Sequence, residues 1–180
     1  QVAGFINVAQ DVKGAQVAGF INVAKKIKGA QIGFINVADS MNGVAIGFLS
    51  FIKNGLHEFE ISSNETVAIN VAYRTGMTQF YNILTAGVHP VKGEYVLSLG
   101  YGIGHRFVLG EKSGLDLELL ANQIFLGKWN QDNTHGRLQL SYNFKPAKHF
   151  SFFAGASYNV NVFEITPLPE PFYAGQISPW

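Results

Sequence analysis

The sequence predicts an all-β chain, an antiparallel transmembrane β-barrel of about ten or more strands. Three observations predict it. Charged residues make up only 14% of the chain, where ordinary soluble domains carry about 25%. Apolar residues reach 47%, yet the longest apolar stretch, Val44 to Ile52, is broken by Ser50. It falls far short of the roughly 20 residues a membrane-spanning helix requires. From Val67 onward, apolar and polar residues alternate with a period of two, which places apolar character on one face of each strand. One domain over 1–180 is expected, with repeat strands in 1–54, long alternating strands in 56–163, and a loop with a possible last strand in 164–180.

The first element is a repeat. QVAGFINVAQDVKGA from Gln1, QVAGFINVAKKIKGA from Gln16, QIGFINVADSMNGV from Gln31 and AIGFLSFIKNG from Ala45 are copies of one unit. Phe5, Phe20, Phe34 and Phe48 mark the register at spacings of 15, 14 and 14 residues, and Asn7, Asn22 and Asn36 follow two residues later. Glycine and β-branched residues crowd the apolar half of each unit, which disfavours a helix. Lys-Gly and Asn-Gly dipeptides close the polar half with the positive φ that tight turns need. Two β architectures satisfy this pattern. Each unit is one barrel strand with its turn, which is the expectation adopted, or each is one coil of a short β-solenoid packed on a barrel, with the asparagines stacked. The apolar Val12, Ile27 and Met41 inside the polar halves favour coils; the extra alanine in the first two copies favours strands.

The later elements follow in order. Lys53-Asn54-Gly55 predicts a hairpin leading into Leu56–Ser62. Val67, Ile69, Val71 and Tyr73 form one apolar row, and Gln79 to Val88 is apolar on both faces. Tyr95, Leu97, Leu99, Tyr101 and Ile103 oppose Ser98 and a row of glycines. Leu115, Leu117 and Leu119 oppose Asp116 and Glu118; Leu138, Leu140, Tyr142 and Phe144 oppose Arg137, Gln139, Ser141 and Asn143. Phe150, Phe152, Ala154, Ala156 and Tyr158 complete the pattern against Ser151, Gly155 and Ser157. Short turns are expected at Arg74–Thr78, Gly110–Gly114 and Lys145–Lys148, with longer loops at Lys128–His135 and Glu164–Tyr173. The Leu, Phe and Tyr face suits lipid, and the Gly, Ser and Asn face suits a lumen.

The units GAQIGFINVADSMNGVAIGFLSFIKNG, YNILTAGV, GEYVLSLGYGIGHRF and RLQLSYNF together resemble uncharacterised outer-membrane β-barrel proteins of Bacteroidota. The repeats of those proteins are similar to the leptospiral surface-exposed lipoprotein repeat. The resemblance covers nearly the whole chain and implies a bacterial outer-membrane location and a barrel architecture; it implies no activity. A barrel of this kind usually ends on an aromatic residue, as Trp180 is, but Pro179 interrupts strand pairing there. The chain opens at Gln1 inside a repeat, without a charged segment followed by an apolar one, and is expected to be a mature or truncated form.

Chemistry is sparse. A net charge of +1 without a basic block excludes an electrostatic nucleic-acid partner. The absence of cysteine excludes disulfides and a thiol nucleophile. No nucleophile elbow, zinc-protease, Walker or dinucleotide motif is present, and the five histidines lack metal-ligand spacing. No cofactor and no catalysis are expected. Asp116 and Glu118 share a strand face and are read as lumenal charges opposite Arg74, Arg137 or Lys145. His149 and Ser151 reproduce the H-x-S spacing of outer-membrane lipid A deacylases, but follow a turn on the wrong side of the membrane. The glycines of GYGIGHRF fit a lumen face better than a phosphate loop. Membrane lipid and other envelope proteins are the expected partners. Small residues with occasional amides favour close packing between membrane elements. Ala18, Gly19, Asn22, Gly33 and Asn36 are therefore the expected interaction surface. The expected role is structural or protein-interacting, with a small pore as the alternative.

Overall fold

The computed structural model describes residues 1–63, 67–91, 94–126, 133–147 and 150–163. Among these the chain is all-β, in two sheets. The first runs in the order β1 (Val2–Ala3), β2 (Ile6–Ala18), β3 (Ile21–Ile32), β4 (Ile35–Ile46) and β5 (Leu49–Ile52), with every neighbouring pair parallel. The second is an antiparallel meander in chain order. Its strands are β6 (Leu56–Ser62), β7 (Ile69–Met77), β8 (Phe80–Val91), β9 (Glu94–Gly110), β10 (Ser113–Leu126), β11 (Asn133–Ala147) and β12 (Phe150–Phe163).

The repeats are therefore coils stacked as in a β-solenoid, not antiparallel barrel strands. Equivalent residues of successive units face one another in register: Asn7 on Asn22 on Asn36, and Val12 on Ile27 on Met41. A parallel stack lets identical side chains form continuous rows, and the rows here are interior, the asparagines polar and Val12, Ile27 and Met41 part of a buried apolar cluster. Asn22 Nδ2 donates to the Asn36 Oδ1 at 3.0 Å and to the Ile32 carbonyl at 2.8 Å, so one amide joins two coils and closes its own. Asn7 does the same toward Asn22 and Val17. Gln31 donates to Gln16 Oε1 at 2.9 Å in a second row. That row ends at Ala45, and Gln31 Oε1 is left without a hydrogen-bond partner. Gly29 and Gly43 have φ of 136° and 147°, and a Cβ on either would strike the backbone of the glycine one coil before. The extra alanine does not disturb the stack, because Ala18 sits at the corner between Val17↔Ile32 and Ile21↔Ile35, where the ladder is already interrupted.

At that corner Phe5, Phe20, Phe34 and Phe48 stack with ring centroids 5.1, 5.5 and 4.9 Å apart. After β5 the chain turns at Lys53-Asn54-Gly55, but β5 and β6 belong to different sheets, so the expected hairpin is a crossing point. The Asn54 side chain instead extends the β4 ladder: Met41 N donates to its Oδ1 at 2.8 Å, and its Nδ2 donates to Met41 O at 3.0 Å.

The second sheet holds seven strands among the described residues, fewer than expected because the repeats do not join it. Strands β9 to β12 are 17, 14, 15 and 14 residues long, where about 5–6 is usual. The sheet is curled. Lys145 on β11 approaches Glu58 on β6 to 3.6 Å, across five strand intervals that would separate them by about 24 Å if flat. Strands β6 and β12 are its two edges. Arg74 and Thr75 lie inside β7, not in a turn, and Lys145 lies inside β11. The turn at Glu111-Lys112 falls where expected. The segment 164–180 and most of the loop from Lys128 lie outside the described residues.

Replacing Asn22 with alanine should cost about 1–3 kcal/mol, since the Ile32 carbonyl and the Asn36 amide lose a buried donor. Replacing exposed Lys28 with alanine should change stability by no more than about 0.5 kcal/mol. Urea unfolding of the two variants in detergent micelles checks this; equal losses would remove the ladder from the account of the coils.

Candidate functional site: an ion-paired interior behind an apolar wall

Alternation on the second sheet sorts its side chains into two faces, and the polar face is the buried one. Leu140, Leu119, Phe152 and Tyr158 on the outer face are 46%, 56%, 70% and 71% exposed, whereas Asp116 and Glu118 on the inner face are 1% and 2% exposed. A soluble sandwich of the same pattern would reverse this.

The interior is organised by two arginines. Arg74 on β7 donates from Nε to Glu118 Oε1 at 2.7 Å and from Nη2 to Glu118 Oε2 at 3.1 Å, and its Nη1 pairs with Glu60 on β6. Arg106 on β9 donates from Nε and Nη2 to Asp116 at 2.6 and 2.8 Å, and from Nη1 and Nη2 to Glu58 at 3.0 and 2.9 Å. These fork-to-fork bonds are the strongest class of protein hydrogen bond, which buried charges need to offset their lost hydration. Tyr81 adds its hydroxyl to Glu118 Oε1 at 2.9 Å. Its ring occupies the space that a Cβ on Gly104 would fill, and Asn122 and Thr85 occupy the space beside Gly100. The β9 glycines therefore admit side chains from neighbouring strands and leave no open lumen there.

Both carboxylates on β10 thus have every oxygen engaged, Glu118 by Arg74 and Asp116 by Arg106. The expected opposition of Glu118 and Arg74 is present. Arg106 was missed, because it follows the glycines of GYGIGHRF and reads as the end of that strand. Tyr81 was missed too, lying in the segment that is apolar on both faces. A polar cleft of about 290 Å³ remains between the two edges, lined among others by Glu60, Ser62, Arg137, Gln139, Gly155 and Ser157. A larger and shallower hollow of about 720 Å³ runs along Gly14, Gly29 and Gly43 on the coils, but it carries no charged group.

No protein-family model, curated protein or solved structure matches this chain.

The expected interaction surface does not lie on the surface. Asn22 and Asn36 are 0% exposed and Ala18 is 5% exposed, so all three are interior. Gly33 is half-buried, and a Cβ there would meet the Asn22 amide and the Ala18 carbonyl; only Gly19 is exposed. Their small size serves the packing of coil on coil. No group of histidines and carboxylates among the described residues could hold a metal ion, and His149 lies outside those residues.

A different set of residues joins the two sheets. Asn82 donates to the Gly47 carbonyl at 2.7 Å, Thr75 to the Ser50 carbonyl at 2.7 Å, and His57 Nε2 lies 2.7 Å from the Ile52 carbonyl. A carbonyl only accepts, so His57 donates from Nε2, and its Nδ1 faces the Tyr73 hydroxyl at 3.0 Å. These donors satisfy carbonyls of the last coil, which has no further coil to pair with among the described residues. Tyr101 stacks on Phe48 at 4.5 Å and extends the phenylalanine row onto the sheet.

Arg74→Met should cost about 3–5 kcal/mol, because Glu118 and Glu60 are left buried without their cation. Adding Glu118→Gln should return part of that loss, so a double-mutant cycle in micelles should show clear coupling. Strict additivity would mean that the two charges do not act as a pair.

Proposed function

We propose that the chain is an outer-membrane wall of the β-barrel type, with a structural or protein-interaction role in the cell envelope. The observation that carries this reading is the inversion of the second sheet: large apolar side chains outside, buried ion pairs inside. Exposed to water, the apolar outer face of this seven-stranded sheet would far exceed the few hundred Å² that monomers usually tolerate. Lipid is the solvent for which such a face is suited, and a strand wall keeps its backbone groups paired there. The resemblance of the repeats and strands to Bacteroidota outer-membrane proteins belongs to the same proposal. No helix among the described residues is long and apolar enough to cross a membrane, which has no bearing on crossing by strands.

The interior favours a structural role over conduction, since Arg74, Arg106 and Tyr81 fill it with bonded groups. One observation favours the pore as a second reading: the cleft at Glu60, Ser62, Gln139 and Ser157 is polar and lies between the sheet edges. Planar-bilayer recording separates the two. A silent purified protein agrees with the structural role, and steady conductance by the protein alone would transfer the proposal to the pore.

Membrane placement makes its own prediction. The protein should fractionate with the outer membrane, resist carbonate extraction and show heat-modifiable mobility. Leu140→Arg should cost about 2–4 kcal/mol in lipid and Gln139→Arg much less. Similar costs at these adjacent positions would mean that the outer face does not meet lipid.

A further inference from the structure

The apolar outer face does not stop at the second sheet. Tyr101 passes it to Phe48, and the row continues through Phe34 and Phe20 to Phe5, away from the wall. None of these rings is in the solenoid core: Phe20 is 37% exposed, Phe34 45% and Phe5 64%. Ile32 and Ile46, just before the corner, are 41% and 42% exposed. With coils about 4.8 Å apart, the apolar row reaches about 15–20 Å from the sheet. The polar half of the coils carries the lysines: Lys25, Lys26 and Lys28 on β3 are all exposed, Lys28 faces exposed Lys13 of the coil before it in register, and Lys26 faces Asp11. Residues 1–55 hold five lysines against two aspartates, and Asp39 is already committed to Lys53 at 2.5 Å. The Lys53 ammonium holds the Asp39 carboxyl below the usual carboxylate range, so this aspartate stays charged and occupied by its own lysine.

We infer that the solenoid is a second membrane-contacting element, with acyl chains covering its phenylalanine corner and anionic headgroups meeting its lysine-bearing half. This rests on the membrane reading of the second sheet. Two features choose lipid as the occupant. The phenylalanine row is continuous with the face proposed to meet lipid, so a boundary between lipid and water would have to cut through the Phe48–Tyr101 stack. The cationic half supplies the complementary charge, since basic segments beside a bilayer are drawn to anionic lipid. An apolar row with basic residues in a separate part of the same coils is the division that amphipathic surface elements use.

The test uses the full chain reconstituted into phosphatidylcholine vesicles brominated in the mid-acyl region, with and without phosphatidylglycerol. Trp129 and Trp180 are first replaced by phenylalanine, and single tryptophans are then introduced as Phe34→Trp, Phe5→Trp, Lys26→Trp and Phe152→Trp. Phe152→Trp reports the wall. Bromine should quench Phe34→Trp and Phe5→Trp to within about twofold of Phe152→Trp, and should leave Lys26→Trp bright. Phosphatidylglycerol should deepen the quenching at Phe34→Trp, and changing Lys25, Lys26 and Lys28 to glutamate should abolish that dependence while sparing Phe152→Trp. Quenching at Phe152→Trp with none at Phe34→Trp or Phe5→Trp would overturn the inference and leave the wall in the membrane. Quenching at none of them would overturn both readings, and an unchanged phosphatidylglycerol dependence in the glutamate variant would remove the headgroup contact.

Discussion

Two guanidinium groups set the shape of the second sheet. Arg74 joins β7 to β10 and Arg106 joins β9 to its neighbour β10 and to β6, so the Arg74–Glu118 and Arg106–Glu58 bonds span strands that a flat sheet would hold well apart. Curling brings Glu58 and Glu118 within reach of arginines on distant strands and lets both leave water with all their oxygens matched. The dependence runs both ways. Removing the ion pairs leaves like-charged carboxylates crowded on a concave face, and flattening the sheet strands the arginines. The small residues on β9 are part of the same constraint, because Gly104 gives Tyr81 the room to reach Glu118.

The solenoid depends on that sheet at one end. A stack of parallel coils presents a row of carbonyls and amides at each edge, and such an edge recruits further strands unless something covers it. Asn54 covers part of β4, while Asn82, Thr75 and His57 cover the last coil. Thr75 and Asn82 face each other across β7 and β8 on the apolar side of the wall, which explains why that side is interrupted there. They are polar because they meet backbone, not lumen.

Much of the second sheet was legible from its residues. A period of two assigns each side chain to a face, and the lengths of the runs mark strands longer than those of soluble folds. The repeats were harder. Alternation does not distinguish a strand paired with its antiparallel neighbour from a coil paired with its own copy, and both predict Val, Ile and Phe in extended backbone. The deciding signal was identity in register. Asn7, Asn22 and Asn36 recur at one position, and a row of identical amides is useful only where copies stack in parallel. Reading those amides as a surface treated them as contacts for another molecule. Their partners were already in the next coil. Asn82 and Tyr81 could not be assigned by period, because adjacent residues on β8 are buried for opposite reasons, one beneath the solenoid and one inside the curl.

Both halves of the molecule keep directed polar bonds in the interior beside a small apolar cluster, with Val12, Ile27 and Met41 in the coils and Ile83 and Leu120 in the sheet, and leave many large apolar side chains outside. In water this arrangement gives up the hydrophobic contribution that burying those outer side chains would supply. Under the proposed membrane placement nothing is lost, since apolar side chains gain little by moving from lipid to a protein interior. Beside those clusters, what holds one coil on the next, or one strand across from another, must be specific and bonded. Asn22 closing its coil on the Ile32 carbonyl and Glu118 gripping Arg74 are two forms of that requirement, one neutral and one ionic. The amide suffices where the neighbour is an identical copy at ladder spacing. The ion pair serves where the partners lie on distant strands, because long side chains are needed to cross the curl.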